Sequence, residues 1–194
     1  ASDVYKRQLV GRGIYTAEQA QQYFNGTELS DPLLIADMDK AVQAIEAAVD
    51  NEIKITVYGD YDCDGVTSTV MLFTHLDAIG ADVNWYIPTR EEGYGLNENA
   101  IRKLHEDGTG LIITVDNGVS AVNEAELIYE LGMKLVVTDH HQLPEILPKA
   151  EAIVNPHRQD DNSPYKELAG CGVALKLIMA LERDVEGVLE QYAD

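Results

Sequence analysis

The sequence predicts an α/β fold: a mostly parallel five-stranded sheet with helices on both faces, preceded by a helical leader. From about residue 53 onward, short apolar runs rich in β-branched residues alternate with longer stretches of helical periodicity. This alternation is typical of a parallel sheet covered on both sides. Before that point the apolar residues recur only at helical spacing. We therefore expect a leader at residues 1–50, packed on a main domain at residues 51–194.

The leader contains two helical signals. Thr16 and Gln19 have the spacing of a capping box, which predicts a helix through about residue 24. A second helical segment begins at Ser30-Asp31-Pro32, and its apolar residues are Leu33, Leu34, Met38, Val42, Ile45 and Val49. Both segments are expected to be helical.

The main domain is expected to contain five strands, at residues 55–58, 83–87, 111–115, 134–138 and 152–154. Helices are expected near residues 66–79, 97–107, 119–131 and 171–182. Right-handed crossovers between parallel strands place all the carboxyl ends on one edge of the sheet. In open α/β sheets the ligand crevice lies at that edge. Functional residues should therefore follow the strands.

Composition limits the function classes. The 194 residues include 14 Lys and Arg against 34 Asp and Glu, a net charge of −20, which repels nucleic acid and anionic membranes at long range. Binding of nucleic acid would therefore require specific local contacts and cannot result from the overall charge. Cys63 and Cys171 have no zinc-site spacing, which favours a reducing, cytoplasmic compartment. No apolar run approaches the roughly 18 residues of a membrane span, so no membrane contact is expected.

Three aspartates follow the first strand at alternate positions: Asp60, Asp62 and Asp64. Like charges this close destabilise the fold unless a positive group lies among them, and hard cations with oxygen ligands commonly supply it. A single Asp between a strand and a helix is more often an N-cap than a ligand. Three together favour a metal or phosphate site.

The other strand ends also carry polar residues. Taken alone, Asp116-Asn-Gly118 would be a turn, and Asp139-His-His141 could be a helix cap with two surface histidines. Their shared position at strand ends favours function. The candidate ligands are Asp60, Asp62, Asp64, Asp116, Asp139, His140, His141 and His157. Carboxylates mixed with imidazoles suit Mn²⁺ or Mg²⁺ better than structural zinc. So many carboxylates predict two ions and phosphoester hydrolysis.

The motifs resemble those of the DHH phosphoesterase superfamily: Asp60-Tyr-Asp-Cys-Asp-Gly65, Asp116-Asn-Gly118 and Asp139-His-His141. Within it, further segments are similar to the RecJ family of single-strand-specific 5′→3′ exonucleases, and these include Ile87-Pro-Thr-Arg-Glu-Glu-Gly-Tyr-Gly-Leu96, Ile153-Val-Asn-Pro156 and Ala169-Gly-Cys-Gly-Val-Ala-Leu-Lys176. In the leader, Arg12-Gly-Ile14, Asp31-Pro-Leu-Leu34 and Asp37-Met38 also resemble that family. The resemblance extends from about residue 9 to the end.

The resemblance implies roles for the site residues. Asp62 and Asp64 would each bind one of two Mn²⁺ or Mg²⁺ ions with Asp60 close by, Asp116 would bridge the ions and His140 would bind the second. His141 would approach the substrate phosphate and Asp139 would orient the histidine pair. His141 or Arg90 would stabilise the developing charge. The implied substrate-binding residues are Arg90, Tyr94, His141, His157 and Arg158.

The implied activity is 5′→3′ exonuclease hydrolysis of single-stranded DNA in repair and recombination, by a monomer that has a single-strand-binding protein and a recombination helicase as partners. The alternatives are a DHH phosphodiesterase acting on short oligonucleotides or cyclic dinucleotides, and a non-catalytic scaffold in replication or repair. The family's fourth motif supplies an Asp to the second metal site, and this chain is expected to stop before it, with Asp194 preceding that ligand. The isolated chain should therefore bind metal weakly and have little or no activity.

Overall fold

The structure is a computed structural model that describes residues 3–25 and 29–192. Asp194, expected to precede the fourth motif, lies outside the described residues. The leader contains α1 (Asp3–Gly11), α2 (Ala17–Asn25), a 3₁₀ helix (Pro32–Leu34) and α3 (Met38–Asp50). The strands are β1 (Ile55–Tyr58), β2 (Val83–Tyr86), β3 (Leu111–Val115), β4 (Lys134–Thr138) and β5 (Ala152–Val154). The remaining helices are α4 (Cys63–Ala78), α5 (Glu98–Glu106), α6 (Val122–Glu130), α7 (Gly170–Glu182) and α8 (Val185–Tyr192).

The five strands form one sheet in the order β2-β1-β3-β4-β5, and every pairing is parallel. The three central strands of the sheet, β1, β3 and β4, are almost completely buried, as is typical of parallel strands that are covered on both faces. Each crossover carries the chain back over a face, so the carboxyl ends share one edge. The predicted fold class is confirmed.

Apolar side chains alternate between two cores on opposite faces of the sheet. Ile113 of β3 belongs to the first core, which α3, α4 and α7 cover. The adjacent Ile112 belongs to the second core, which lies under α5 and α6. This division follows from the two-residue period of a strand. Burying both faces holds the strands rigidly, and the loops at their carboxyl ends are fixed to that frame.

The leader is helical as predicted, and it packs on the first core through α3. The capping box at the start of α2 is formed, since the Gln19 N–H donates to Thr16 Oγ1 at 3.1 Å and the Thr16 N–H donates to Gln19 Oε1 at 3.1 Å. The second segment is divided in two, because Asp37 has left-handed backbone angles (φ 59°) directly before α3. The buried face of α3 consists of Met38, Ala41, Val42, Ile45 and Ala48.

Three elements were not predicted: α1, the 3₁₀ helix and α8. Helix α1 has no buried residue, so no apolar periodicity against a core marks it in the sequence. Within residues 3–25 and 29–192, no helix is long and apolar enough to cross a membrane.

Candidate metal centre

The carboxyl ends of three adjacent strands bring the predicted motifs together. Strand β1 lies between β2 and β3, and β3 is followed by β4 in the sheet order. The acidic turn after β1, the Asp116 turn after β3 and the Asp139 triplet after β4 therefore meet at one edge. We call the carboxylates and imidazoles at this edge the strand-end cluster, and its members are Asp60, Asp62, Asp64, Asp116, Asp139, His140 and His141.

The turn after β1 is tight, and Asp60 and Asp62 have different roles in it. Asp62 is the N-cap of α4, because its Oδ1 accepts a hydrogen bond from the Gly65 N–H at 2.9 Å. The N-cap interpretation of one aspartate is thus correct for Asp62, and it leaves the second oxygen uncommitted. A Cβ at Gly65 would lie 2.5 Å from the Asp60 carbonyl oxygen, so only glycine fits this turn.

Asp60 is 1% exposed, and its Oδ1 has no hydrogen-bond partner among the described residues. Burial raises the pKa of Asp60, and the nearby negative charge of Asp62 raises it further, against a hydrogen bond from the Tyr61 backbone. An unpaired buried carboxylate oxygen is costly without a cation. A cation bound at this turn would therefore stabilise the Asp60 carboxylate.

Asp116 combines an unusual backbone conformation with a buried, unpaired carboxylate. Its backbone is left-handed (φ 63°), its side chain is 1% exposed, and neither carboxylate oxygen has a hydrogen-bond partner among the described residues. Burial, followed by the charge of Asp62, raises the pKa of Asp116 to about 7. Non-glycine residues in this backbone region are uncommon and strained, and they occur often at functional sites.

Asp139 has a different environment, because its carboxylate is saturated with hydrogen bonds. Oδ1 accepts from the His140 N–H at 2.7 Å, the His141 N–H at 3.1 Å and His141 Nδ1 at 2.7 Å. Oδ2 accepts from the Val119 N–H at 3.0 Å. Burial opposes ionisation, but these hydrogen bonds outweigh it and lower the pKa of Asp139. A group so occupied is suited to orienting the two histidines.

The two histidines lie against Asp116. His140 Nε2 is 3.1 Å from Asp116 Oδ1, although the angles are not those of a hydrogen bond. One ligand atom from each of Asp116, His140 and His141 lies within 4.8 Å of the others. The hydrogen bond that His141 donates to the Asp139 carboxylate raises the pKa of His141. Since the Asp139 carboxylate only accepts, His141 Nδ1 carries a proton, and Nε2 lies 3.4 Å from the Tyr94 hydroxyl.

The loop after β2 supplies Tyr94 and Arg90 beside the cluster. Tyr94 is 52% exposed, its hydroxyl donates to the Asp116 carbonyl at 2.8 Å, and it lies 3.3 Å from His141 Nδ1. The exposed Arg90 has its guanidinium carbon 5.4 Å from the centre of the Tyr61 ring, a cation–π distance. The guanidinium therefore lies next to the acidic turn.

A cavity of about 210 Å³ opens next to Tyr94 and His141, and Leu96, Val119 and Glu124 also line it. A larger cavity of about 440 Å³ lies between the carboxyl-terminal ends of α3, α4 and α7 and contains His75, but none of the predicted site residues lines it. The smaller cavity is therefore the one next to the predicted site residues.

His157 and Arg158 are placed differently from the other predicted residues. The His157 N–H donates to Asn155 Oδ1 at 2.8 Å, and its side chain has no hydrogen bond among the described residues. Arg158 donates to the Asp37 carboxylate, to Asp160 and to the Ile153 carbonyl, so its guanidinium joins the leader to β5. These contacts give Arg158 a structural role, and they do not support its prediction as a substrate-binding residue.

The sequence interpretation missed two supports of the site. Asn155 Nδ2 donates to the His141 carbonyl at 3.0 Å, and Asn117 Nδ2 donates to the Tyr58 and Val115 carbonyls at 3.2 and 2.9 Å. Asparagines within two residues of the end of a buried strand were the available signal. Gly170, the first residue of α7, was also missed, although a Cβ at this position would lie 2.2 Å from Asp116 Oδ1.

The cluster fits a divalent metal centre. The donor atoms are carboxylate oxygens and imidazole nitrogens, which Mn²⁺ and Mg²⁺ accept. Three buried oxygens, on Asp60 and Asp116, have no protein partner among the described residues, and no lysine or arginine pairs with these two side chains there. A cation would satisfy these oxygens and offset the burial and the repulsion that raise the two pKa values.

Comparison with known proteins identifies relatives of the chain. A family model described as "DHH family, N-terminal domain" matches residues 54–194. The single-stranded-DNA-specific exonuclease RecJ of Bacillus subtilis is 46% identical over 176 residues, covering 89% of this chain and 22% of that protein. The RecJ exonuclease of Escherichia coli is 38% identical over 178 residues, covering 91% of this chain and 30% of that protein. The chain thus spans less than a third of these relatives.

Solved structures of RecJ exonucleases also match the fold of this chain. An exonuclease RecJ bound to manganese superposes with a TM-score of 0.73 at 35% identity, covering 80% of this chain and 40% of the other. RecJ from Thermus thermophilus in complex with Mn²⁺ gives a TM-score of 0.68 at 28% identity, covering 90% of this chain and 24% of the other. The predicted resemblance to these exonucleases is confirmed.

Proposed function

The chain belongs to the DHH family, and from this premise we propose that it is the N-terminal catalytic part of a metal-dependent exonuclease acting on single-stranded DNA from the 5′ end. The observation that carries the proposal is the strand-end cluster itself. Buried, unpaired carboxylate oxygens from the ends of β1 and β3 lie with the Asp139-oriented histidines after β4. A non-catalytic scaffold has no use for this costly arrangement.

In this proposal Asp62, Asp64, Asp116 and His140, with Asp60 close by, would hold Mn²⁺ or Mg²⁺. RecJ structures in complex with each of these ions support the choice of metal. When bound, such ions supply Lewis-acid polarisation of a phosphoryl group and lower the pKa of water. The predicted pair of ions follows from the number of carboxylates, which one ion could not accommodate.

The protein's own groups then have separate tasks. Asp139 holds His141 through Nδ1, so that Nε2 can give a proton to a leaving oxygen or stabilise phosphate charge. The hydrogen bond that raises the pKa of His141 favours the protonated form needed for both tasks. Tyr94 fixes the Asp116 backbone through its hydroxyl and offers its exposed ring to a base. Arg90 presents a guanidinium to phosphate.

Single-stranded DNA is the substrate that the relatives favour, yet the chain has a net charge of −20. We propose that the remaining length of the intact protein carries the basic surface and the further stacking aromatics that hold a strand. On this view the present chain supplies the catalytic groups. A single-strand-binding protein and a recombination helicase as partners, action as a monomer and a cytoplasmic location stay predictions.

The experiment is a nuclease assay on the intact protein that contains this chain. With Mn²⁺ and a 5′-labelled single strand, we expect release of nucleotides from the 5′ end, and an Asp116→Ala variant should lose nearly all of it. Asp77→Asn, an exposed change near the carboxyl-terminal end of α4, is the control and should keep activity. No nucleotide release, or full activity in the Asp116 variant, would overturn the assignment. Faster turnover of a dinucleotide than of a long strand would indicate an oligonucleotide phosphodiesterase instead.

A further inference from the structure

The first turn of α7 is in direct contact with the Asp116 carboxylate. A Cβ built on Gly170 would lie 2.2 Å from Asp116 Oδ1, 2.5 Å from its Cγ and 2.7 Å from its Cβ. All three distances are shorter than the 3.0 Å below which real Cβ atoms essentially never approach another heavy atom. Any side chain at position 170 must therefore displace either Asp116 or α7.

Neither partner can move easily. The Asp116 N–H donates to the Thr138 carbonyl at 3.1 Å, and its own carbonyl accepts from the Tyr94 hydroxyl at 2.8 Å. Helix α7 is anchored by Val173, Leu177 and Ile178, which are completely buried in the first core. The carboxylate rotamer of Asp116 is therefore the part that must give way. Its two unpaired oxygens would then point elsewhere.

The N-cap residue of α7 is Ala169, which has no side-chain hydrogen bond to offer, so the first N–H groups of the helix keep their positive partial charge. The buried Asp116 carboxylate, which has no hydrogen-bond partner among the described residues, thus lies against the positive end of this helix.

We propose that Gly170 is a positioning residue of the metal centre: because it has no side chain, the first turn of α7 can close on Asp116 and fix the orientation of that carboxylate. The role rests on the proposed function, in which Asp116 binds metal. Gly170 touches neither substrate nor reacting atoms. It acts only through Asp116.

The test compares Gly170→Ala with Gly172→Ala in the intact protein. Both changes add a methyl group in the first turn of the same helix, but the atoms nearest a Cβ at position 172 belong to the flexible Leu168 side chain, the closest being Cδ2 at 3.3 Å. By calorimetric titration we expect Gly170→Ala to weaken Mn²⁺ binding at least about tenfold, as loss of a supporting group around a metal typically does, and Gly172→Ala to change it less than about twofold. Equal effects in both variants, or unchanged affinity in Gly170→Ala, would overturn the proposal.

A kinetic measurement separates positioning from general damage. The Mn²⁺ concentration for half-maximal nuclease activity should rise in Gly170→Ala by the same factor as the dissociation constant. The KM for the DNA strand at saturating Mn²⁺ should stay as in the parent. A KM change without a change in Mn²⁺ dependence would contradict the proposal.

A second measurement needs no activity and so separates this proposal from the proposed function. Without metal, Gly170→Ala should lower the midpoint of thermal unfolding in the parent background. In an Asp116→Gly background the same substitution should have little effect, because the three atoms nearest the new Cβ all belong to the Asp116 side chain. The same loss of midpoint in both backgrounds would refute the contact on which the proposal depends.

Discussion

Replacing Asp139 with Asn tests the hydrogen-bond arrangement that orients both histidines. The carboxylate accepts three hydrogen bonds on Oδ1 from His140 and His141, and one on Oδ2 from the buried Val119 N–H. Asn keeps a single acceptor oxygen. If that oxygen faces the histidines, its amide group faces the Val119 N–H, and two donors meet where no acceptor is available.

The magnitude follows from these contacts. Leaving the buried Val119 N–H unpaired costs about 1–3 kcal/mol, and the bonds that remain lose the charge assistance of a carboxylate, worth about another 1 kcal/mol. We therefore expect Asp139→Asn to lower the free energy of unfolding by about 2–4 kcal/mol, a large fraction of the about 5–15 kcal/mol of a typical domain. Mn²⁺ affinity should also fall by about 10–100-fold, because the histidines are no longer held.

Urea unfolding followed by circular dichroism measures the first effect, and calorimetric titration with Mn²⁺ measures the second. Asp77→Asn, an exposed substitution on α4, is the matched control and should change the free energy of unfolding by less than about 0.5 kcal/mol. If Asp139→Asn is as stable as the control, the carboxylate is not the orienting group described here. Loss of stability with unchanged Mn²⁺ affinity would separate Asp139 from metal binding.

Two further predictions concern other parts of the chain. Burial opposes ionisation of Asp37, but hydrogen bonds from Lys40, Arg158 and the Ile153 N–H lower its pKa. A carboxylate with a lower pKa in the folded state stabilises the fold at neutral pH, and this stabilisation is lost as the pH falls through the folded-state pKa. Asp37→Asn should therefore destabilise the protein to urea at neutral pH but not in strong acid, and an equal effect at both pH values would contradict this. Gly65→Ala should cost about 1–3 kcal/mol or more in urea unfolding, because its Cβ would meet the Asp60 backbone at 2.5 Å, whereas Gly11→Ala, with nothing within 4 Å, should not.

Much of the fold could be predicted because its signals are local. The strands are apolar runs with clear ends, and four of the five have the predicted bounds, while β2 ends at Tyr86 rather than at residue 87. The helices on the sheet differ from prediction by a few residues at their ends, where capping decides. Helix α4, for example, begins at Cys63 because Asp62 caps it.

The site could be predicted at the level of motifs, since parallel strands place their carboxyl ends together. What each side chain does there depends on contacts far apart in sequence, which no local pattern contains. The guanidinium of Arg158 is paired with Asp37, across 121 residues, and so has a structural role. The contact between Gly170 and Asp116 likewise depends on how α7 docks, and composition gives no sign of it.

The most direct test of the central claim is the number of Mn²⁺ ions that the strand-end cluster binds in the intact protein. Calorimetric titration, with a manganese electron paramagnetic resonance signal as a second readout, should give two ions per chain. The Asp116→Ala variant should lose at least one of them, and Asp77→Asn should keep both. Unchanged Mn²⁺ stoichiometry and affinity in Asp116→Ala would contradict the assignment of this cluster as the metal centre.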